Sequence, residues 1–350
     1  MKSHLGSFGA ILATVILAGA GGWLVSLTGI PLGWMIGSMI VTAGASLMRV
    51  PIRKPVVLLD VVRAAIGLML GAAFTHELFA SLGTWWVTLL FLILLLGVMF
   101  GVGFFALRRV ARFAPVTAAL CAMPGGIAEM VLLSEREGAD QAQVAIVHAL
   151  RIALAILVIP LLIGLIATIE PATGAPAKAT GLSLTDWFWI AICILAGLLA
   201  RGRVRLPAPI VIVPMLVSAG LHLGGLTAFD VPATITIVIQ VFIGINVGGR
   251  FAGVSVKGLM AALGAAVLVV TLQITVAVAG ALLVAGLVGV DPVGLVLAYS
   301  PGGLAEMSII ALSIGGDVAF VGVHHIFRVM LALILAPLLL SWIIKKPEDG

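Results

Sequence analysis

Pro124-Gly125-Gly126-Ile127-Ala128-Glu129-Met130 decides the fold, because the chain contains it twice. The second copy is Pro301-Gly302-Gly303-Leu304-Ala305-Glu306-Met307, 177 residues further on. That spacing holds without a gap through Gly138/Gly315, Asp140/Asp317, His148/His325, Arg151/Arg328 and Pro160/Pro337. Each copy sets a helix-breaking Pro-Gly-Gly and a carboxylate inside strongly apolar sequence. Lipid tolerates irregular backbone and charge only where they are buried in protein or line a cavity. The two copies are therefore expected to build one site from two halves.

The surrounding composition sets the class. Of 350 residues, 62% are hydrophobic and 9% charged, with a mean hydropathy of +1.31. A soluble protein carries about 25% charged residues, so this pattern predicts an all-α integral membrane protein. Apolar runs of helical spanning length recur throughout, which argues against a barrel. The net charge of +5 belongs to loops and calls for no direct nucleic acid binding. Cys121 and Cys193 both lie in apolar runs and offer neither a disulfide framework nor metal spacing. Lys2 and the apolar run to Ala20 have the outline of a signal peptide. However, Ile16-Leu17-Ala18-Gly19 recurs as Ile194-Leu195-Ala196-Gly197, so the segment is expected to belong to the fold.

Six hydrophobic segments fill each half, roughly 6–28, 31–48, 56–75, 83–107, 113–133 and 142–168, then 186–200, 207–222, 233–249, 258–289, 293–312 and 318–343. The expected division is a membrane repeat over 1–168, an extracytoplasmic linker over 169–185 and a second repeat over 186–350. Pro31, Met39, Ala43 and Gly44 reappear as Pro207, Met215, Ala219 and Gly220, and Gly67 and Gly71 as Gly244 and Gly248. Glycines at four-residue spacing predict close helix packing.

Topology turns on the fifth segment of each half. If it spans fully, the repeats are parallel and many arginines face outside. If it is a re-entrant helix broken at Pro-Gly-Gly, each half has about five crossings and the repeats are inverted. Lys2, Arg49, Arg53, Lys54, Arg108, Arg109, Arg112, Arg136, Arg201, Arg203, Arg205, Arg250, Lys257, Lys345 and Lys346 then all lie inside, leaving Lys178 outside. The bias of Lys and Arg toward the cytoplasm favours two inverted repeats, with both termini cytoplasmic, in the inner (plasma) membrane. Inverted repeats with broken helices meeting near the midplane are the pattern of secondary transporters.

The candidate substrate-binding residues follow from the duplication: Pro124, Gly125, Gly126, Glu129, His148, Arg151, Pro301, Gly302, Gly303, Glu306, His325 and Arg328. After each break, free amides at a new helix start suit an anion, and glycine lets a ligand approach the backbone. Glu129 and Glu306 suit a proton or cation carrier; their structural alternative is an ion pair with Arg151 and Arg328. Those arginines, three residues after His148 and His325, share a helix face with them. The guanidinium suits a carboxylate or phosphate, and the histidines suit a proton relay. His324 ranks lower, because Val147 occupies its place in the first half. Asp60 and Arg63, spaced as a helix salt bridge, are secondary candidates with Gln240 and Asn246. Asp140 and Asp317 are expected as helix caps. No catalytic residue, metal ligand set or cofactor motif is expected.

The duplicated Pro-Gly-Gly-x-Ala-Glu-Met with its downstream His-x-x-Arg resembles the AbrB-type integral membrane family over nearly the whole chain. That family carries a tandem membrane duplication and is variously labelled ammonia monooxygenase or transcriptional regulator. The resemblance leaves three functions to weigh. A secondary transporter of a small anionic solute, with proton or cation coupling, fits the broken helices and intramembrane charges. A membrane-embedded regulator or sensor acting indirectly on gene expression would use the same pocket. A membrane monooxygenase has only the label, since the histidines show no usable ligand spacing, and a non-enzymatic role is expected. The expected partners are the solute, the lipid bilayer and a second copy as homodimer.

Overall fold

A computed structural model describes residues 2–166, 182–204, 206, 208–229 and 232–345. The described residues are helical, without strands. In the first half the helices are α1 (Lys2–Ser26), α2 (Gly33–Leu47), α3 (Val56–Ala72), α4 (His76–Arg109), α5 (Pro115–Ala122), α6 (Ile127–Arg136) and α7 (Gln141–Ile166). The second half brings α8 (Leu184–Ala200), α9 (Pro209–Leu223), α10 (Ala233–Gly248), α11 (Val256–Val288), α12 (Pro292–Tyr299), α13 (Leu304–Ser313) and α14 (Val318–Lys345). A 3-10 turn, Gly249–Phe251, follows α10.

The two series match in order, and apart from α1 and α8, with 25 and 17 residues, closely in length. α2 and α9 have 15 residues each, α4 and α11 have 34 and 33, α5 and α12 have 8 each, and α6 and α13 have 10 each. Even the entry to α2 and α9 repeats: Leu32 and Ala208 both cap with left-handed backbone. Most of the expected linker lies outside the described residues, as do Lys178, Arg205 and Lys346.

Among the described residues, six helical stretches are long and apolar enough to cross a membrane, from Phe8–Ser26 to Val318–Ile344. Large apolar side chains such as Leu94, Phe105, Ile334 and Trp342 stand exposed, which lipid accommodates and water does not. The protein is a multi-pass membrane protein. α4 and α11 would each run about 50 Å at 1.5 Å per residue, well beyond the roughly 30 Å hydrocarbon core.

The chain forms two compact units, each drawing helices from both halves. The first comprises residues 1–83, 160–253 and 305–322; the second comprises 84–159, 254–304 and 323–350. Within the first unit the packing is reciprocal: α3 lies on α9, and α10 lies on α2. The four-residue glycine pairs are the contact surfaces. A Cβ on Gly67 would strike the carbonyl of Val211, and one on Gly71 the carbonyl of Met215. In the equivalent pair, a Cβ on Gly244 would lie 2.8 Å from the Met35 oxygen, and one on Gly248 2.5 Å from the Met39 oxygen. Backbones this close gain dispersion contacts without any polar cost, the packing mode that small residues allow in lipid. Within the second unit, Gly280 takes the Leu95 side chain where a Cβ would be, and Gly103 faces Ala122. These contacts bring α11 against α4, and α4 against α5.

Candidate functional site

The repeated motif falls at a break between two short helices. α5 stops at Ala122 and α6 starts at Ile127, and in the second copy α12 stops at Tyr299 and α13 starts at Leu304. Met123 and Ser300 adopt extended backbone at equivalent places, as a residue before proline must. The first segment also turns back on itself. The amide of Asp140, beyond the end of α6, donates to the Thr117 hydroxyl in the first turn of α5 at 3.2 Å. A continuous helix would hold those residues about 35 Å apart at 1.5 Å per residue.

A broken helix leaves its last carbonyls without intrahelical donors. In the second unit these carbonyls are claimed by the following long helix, in both halves with the same residues. His148 Nε2 meets the Leu120 oxygen at 2.9 Å, and His325 Nε2 meets the Leu297 oxygen at 2.9 Å. A carbonyl only accepts, so Nε2 carries the proton in each ring. Arg151 donates to the Met123 oxygen at 2.8 Å and to the Gly125 oxygen at 2.7 Å. Arg328 donates to the equivalent oxygens of Ser300 and Gly302. All four side chains are buried, His148 and His325 at 0% exposure. The guanidinium also stands where a helix C-terminus presents its negative end. Sequence reasoning proposed a glutamate as partner for each arginine; the structure adds partners it did not name, the backbone of the break.

Glu129 occupies the third position of α6, in its first turn. Its carboxylate folds over Gly126, filling the space a Cβ there would need. Gly126 itself has φ −72° and ψ 148°, open to any residue, so its service is space and not backbone freedom. Glu129 thereby puts a carboxylate at the N-terminal end of α6, where the helix dipole favours negative charge. It also lines a cleft of about 180 Å³ with Met130, Leu133, Arg136, Leu333 and Pro337. Pro337 lies inside α14 and has no N–H for the Leu333 carbonyl one turn earlier. Glu306 differs from its twin: it is 5% exposed, belongs to the first unit and lies within electrostatic range of Arg250.

The secondary candidates fall in the first unit. Buried Asp60 pairs with Arg63 at 2.9 Å and also with Arg201. Arg63 reaches Asn246 Oδ1 at 3.5 Å. Gln240 is buried on α10 and does not join them in a hydrogen bond. Asp140 and Asp317 cap α7 and α14 as expected, accepting from the amides of Gln143 at 3.0 Å and Phe320 at 2.9 Å.

Sequence reasoning passed over two polar contacts in the second unit, and both break the internal symmetry. Gln273, the one glutamine in the apolar run of α11, donates to the Ala122 oxygen at 2.8 Å. Tyr299, the one tyrosine of the chain, donates to the Thr88 oxygen at 2.9 Å. The Thr88 hydroxyl in turn meets His324 Nε2 at 2.8 Å. A lone glutamine and a lone tyrosine amid apolar helix were the available signals.

A family model, that of the transition state regulatory protein AbrB, matches residues 34–344. The chain belongs to the AbrB family. Among AbrB relatives it is 31% identical to the uncharacterised protein YhjN of Bacillus subtilis (strain 168), over 92% of this chain and 90% of that protein. It is 24% identical to a candidate regulator, AbrB, of Escherichia coli (strain K12), over 90% of each chain.

Proposed function

We propose that this AbrB-family protein is a secondary transporter of a small anionic solute in the bacterial inner membrane, coupled to protons or another cation. In this reading 1–168 and 186–350 are inverted repeats, each with about five crossings and one re-entrant helix broken at Pro-Gly-Gly. Both termini are cytoplasmic, and the linker is outside. One observation carries the reading: each half holds a broken helix whose open carbonyl end is gripped by a buried His and Arg from the next long helix, at one common spacing. Broken helices in paired repeats are how secondary transporters present backbone dipoles to solute and ion. Arg151 and Arg328 hold the breaks open, Glu129 is the proton or cation carrier beside its cleft, and Glu306 is its counterpart. The reading involves no catalytic residue, cofactor, metal or nucleic acid, and the protein works as a homodimer.

Proteoliposomes carrying the purified protein and an internal pH dye test this directly. A panel of small mono- and dicarboxylates and phosphate is added outside. At least one should evoke solute-dependent proton flux, lost in Glu129→Gln. No flux from any solute, together with binding of one, would favour a membrane-embedded sensor instead. The description of the Escherichia coli relative as a candidate regulator supports that second reading.

A further inference from the structure

The first unit contains a set of buried hydrogen-bond donors that takes no part in the grip on the broken helices. Thr42 and Ser46 lie one turn apart on α2, 1% and 4% exposed, and neither hydroxyl has a hydrogen-bond partner among the described residues. α2 packs on α10 and on the turn Gly249–Phe251. Gly248 lies so close that a Cβ there would come within 2.9 Å of Thr42 Cβ. At the next residue, the Lys54 side chain lies over Gly249, its Nζ 3.3 Å from where a Cβ would stand. The residue after that is Arg250, whose Nη1 is buried with no hydrogen-bond partner among the described residues.

The cations Lys54, Arg250 and Arg63 repel one another as they stand. Lys54 is pulled down to about 8, first by burial and then by the positive charges of Arg250 and Arg63. Asp60 offers little relief, since Arg63 and Arg201 already hold it. Glu306, in range of Arg250, and Asp60 together offset two of the four positive charges on Lys54, Arg63, Arg201 and Arg250. A buried guanidinium nitrogen and two buried hydroxyls without partners are costly to leave unmatched. Together with an ammonium they form the donor set that recognises a phosphate-type oxyanion through charged hydrogen bonds.

We propose that Arg250, Lys54, Thr42 and Ser46 form a binding site for a phosphate-type oxyanion, either a free ion or the phosphodiester of a lipid headgroup. The site goes beyond the transport reading and does not rest on it, because binding is measured here without a gradient. Full-length protein in nanodiscs of phosphatidylcholine alone is titrated with inorganic phosphate, using radiolabelled phosphate and scintillation proximity. In parallel, protein purified in mild detergent from bacterial membranes is examined by native mass spectrometry for retained phosphatidylglycerol. Saturable phosphate binding assigns a free ion; retained phosphatidylglycerol without phosphate binding assigns a lipid. In either case R250Q should weaken binding about tenfold or more, as losing one partner of a buried charged contact does. The paired T42V/S46A variant, which keeps every charge, should weaken it a few-fold. Neither ligand binding to wild-type protein, or binding unchanged in both variants, would overturn the proposal.

Discussion

Replacing Arg151 with glutamine tests what holds the broken helix. Arg151 makes two charged hydrogen bonds, 2.8 Å to Met123 and 2.7 Å to Gly125, at 2% exposure. Each such bond contributes about 1.5–3 kcal/mol, and a buried carbonyl left without a donor adds to the loss. Glutamine is too short to reach both oxygens. The expected cost of R151Q is about 3–5 kcal/mol. R151K keeps the charge but not the planar fork, so about half of that loss should remain. Because Arg328 repeats the arrangement, R328Q should cost a similar amount. The assay is equilibrium unfolding in mixed dodecyl maltoside and SDS micelles, each variant against wild type. The backbone-clamp account also says that E129Q does not restore R151Q. A loss below about 1 kcal/mol for R151Q, or recovery in the E129Q/R151Q double variant, would refute it and return the arginine to a pair with Glu129.

Gly67→Ala and Gly244→Ala should each destabilise by about 1–3 kcal/mol through forced separation of α3 from α9 and α10 from α2, read in the same unfolding assay; a neutral result for both would contradict the close approach. Gly126→Ala should leave stability nearly unchanged, because its backbone suits alanine, yet displace the Glu129 carboxylate; proton flux in proteoliposomes should fall, and a large unfolding penalty would show that the backbone was the constraint. Lys54 is protonated less readily in the folded protein than in the unfolded chain, from about 10.5 down to about 8. Between those values the unfolded chain binds more protons, so stability should rise as pH increases from 8 to 10.5; K54M should flatten that rise, and an unchanged slope would remove Lys54 as its source. Cysteines placed at Lys178 and Arg203 should label from opposite sides of the membrane in intact cells, and labelling from one side would defeat the inverted topology.

Much of the architecture is legible in the sequence. Hydropathy alone identified a membrane protein, because burying backbone in lipid leaves long apolar helices as the available solution. The 177-residue repeat located both breaks, since proline and glycine act on their own local backbone. The glycine pairs announced close helix packing for the same local reason. Capping by Asp140 and Asp317 followed from a carboxylate standing just ahead of a helix.

The partners of buried polar groups were decided by tertiary structure. His148 and Arg151 reach carbonyls 28 residues earlier in the chain, and Thr88 meets His324 across 236 residues. Helical periodicity says which residues share a face, but backbone carbonyls are the same in every residue and leave no mark in the sequence. Glu129 and Glu306 occupy identical motifs, yet one lies half-buried over Gly126 and the other is buried within range of Arg250. Duplication determines that two equivalent devices exist; the neighbours each copy meets after folding determine what each can do.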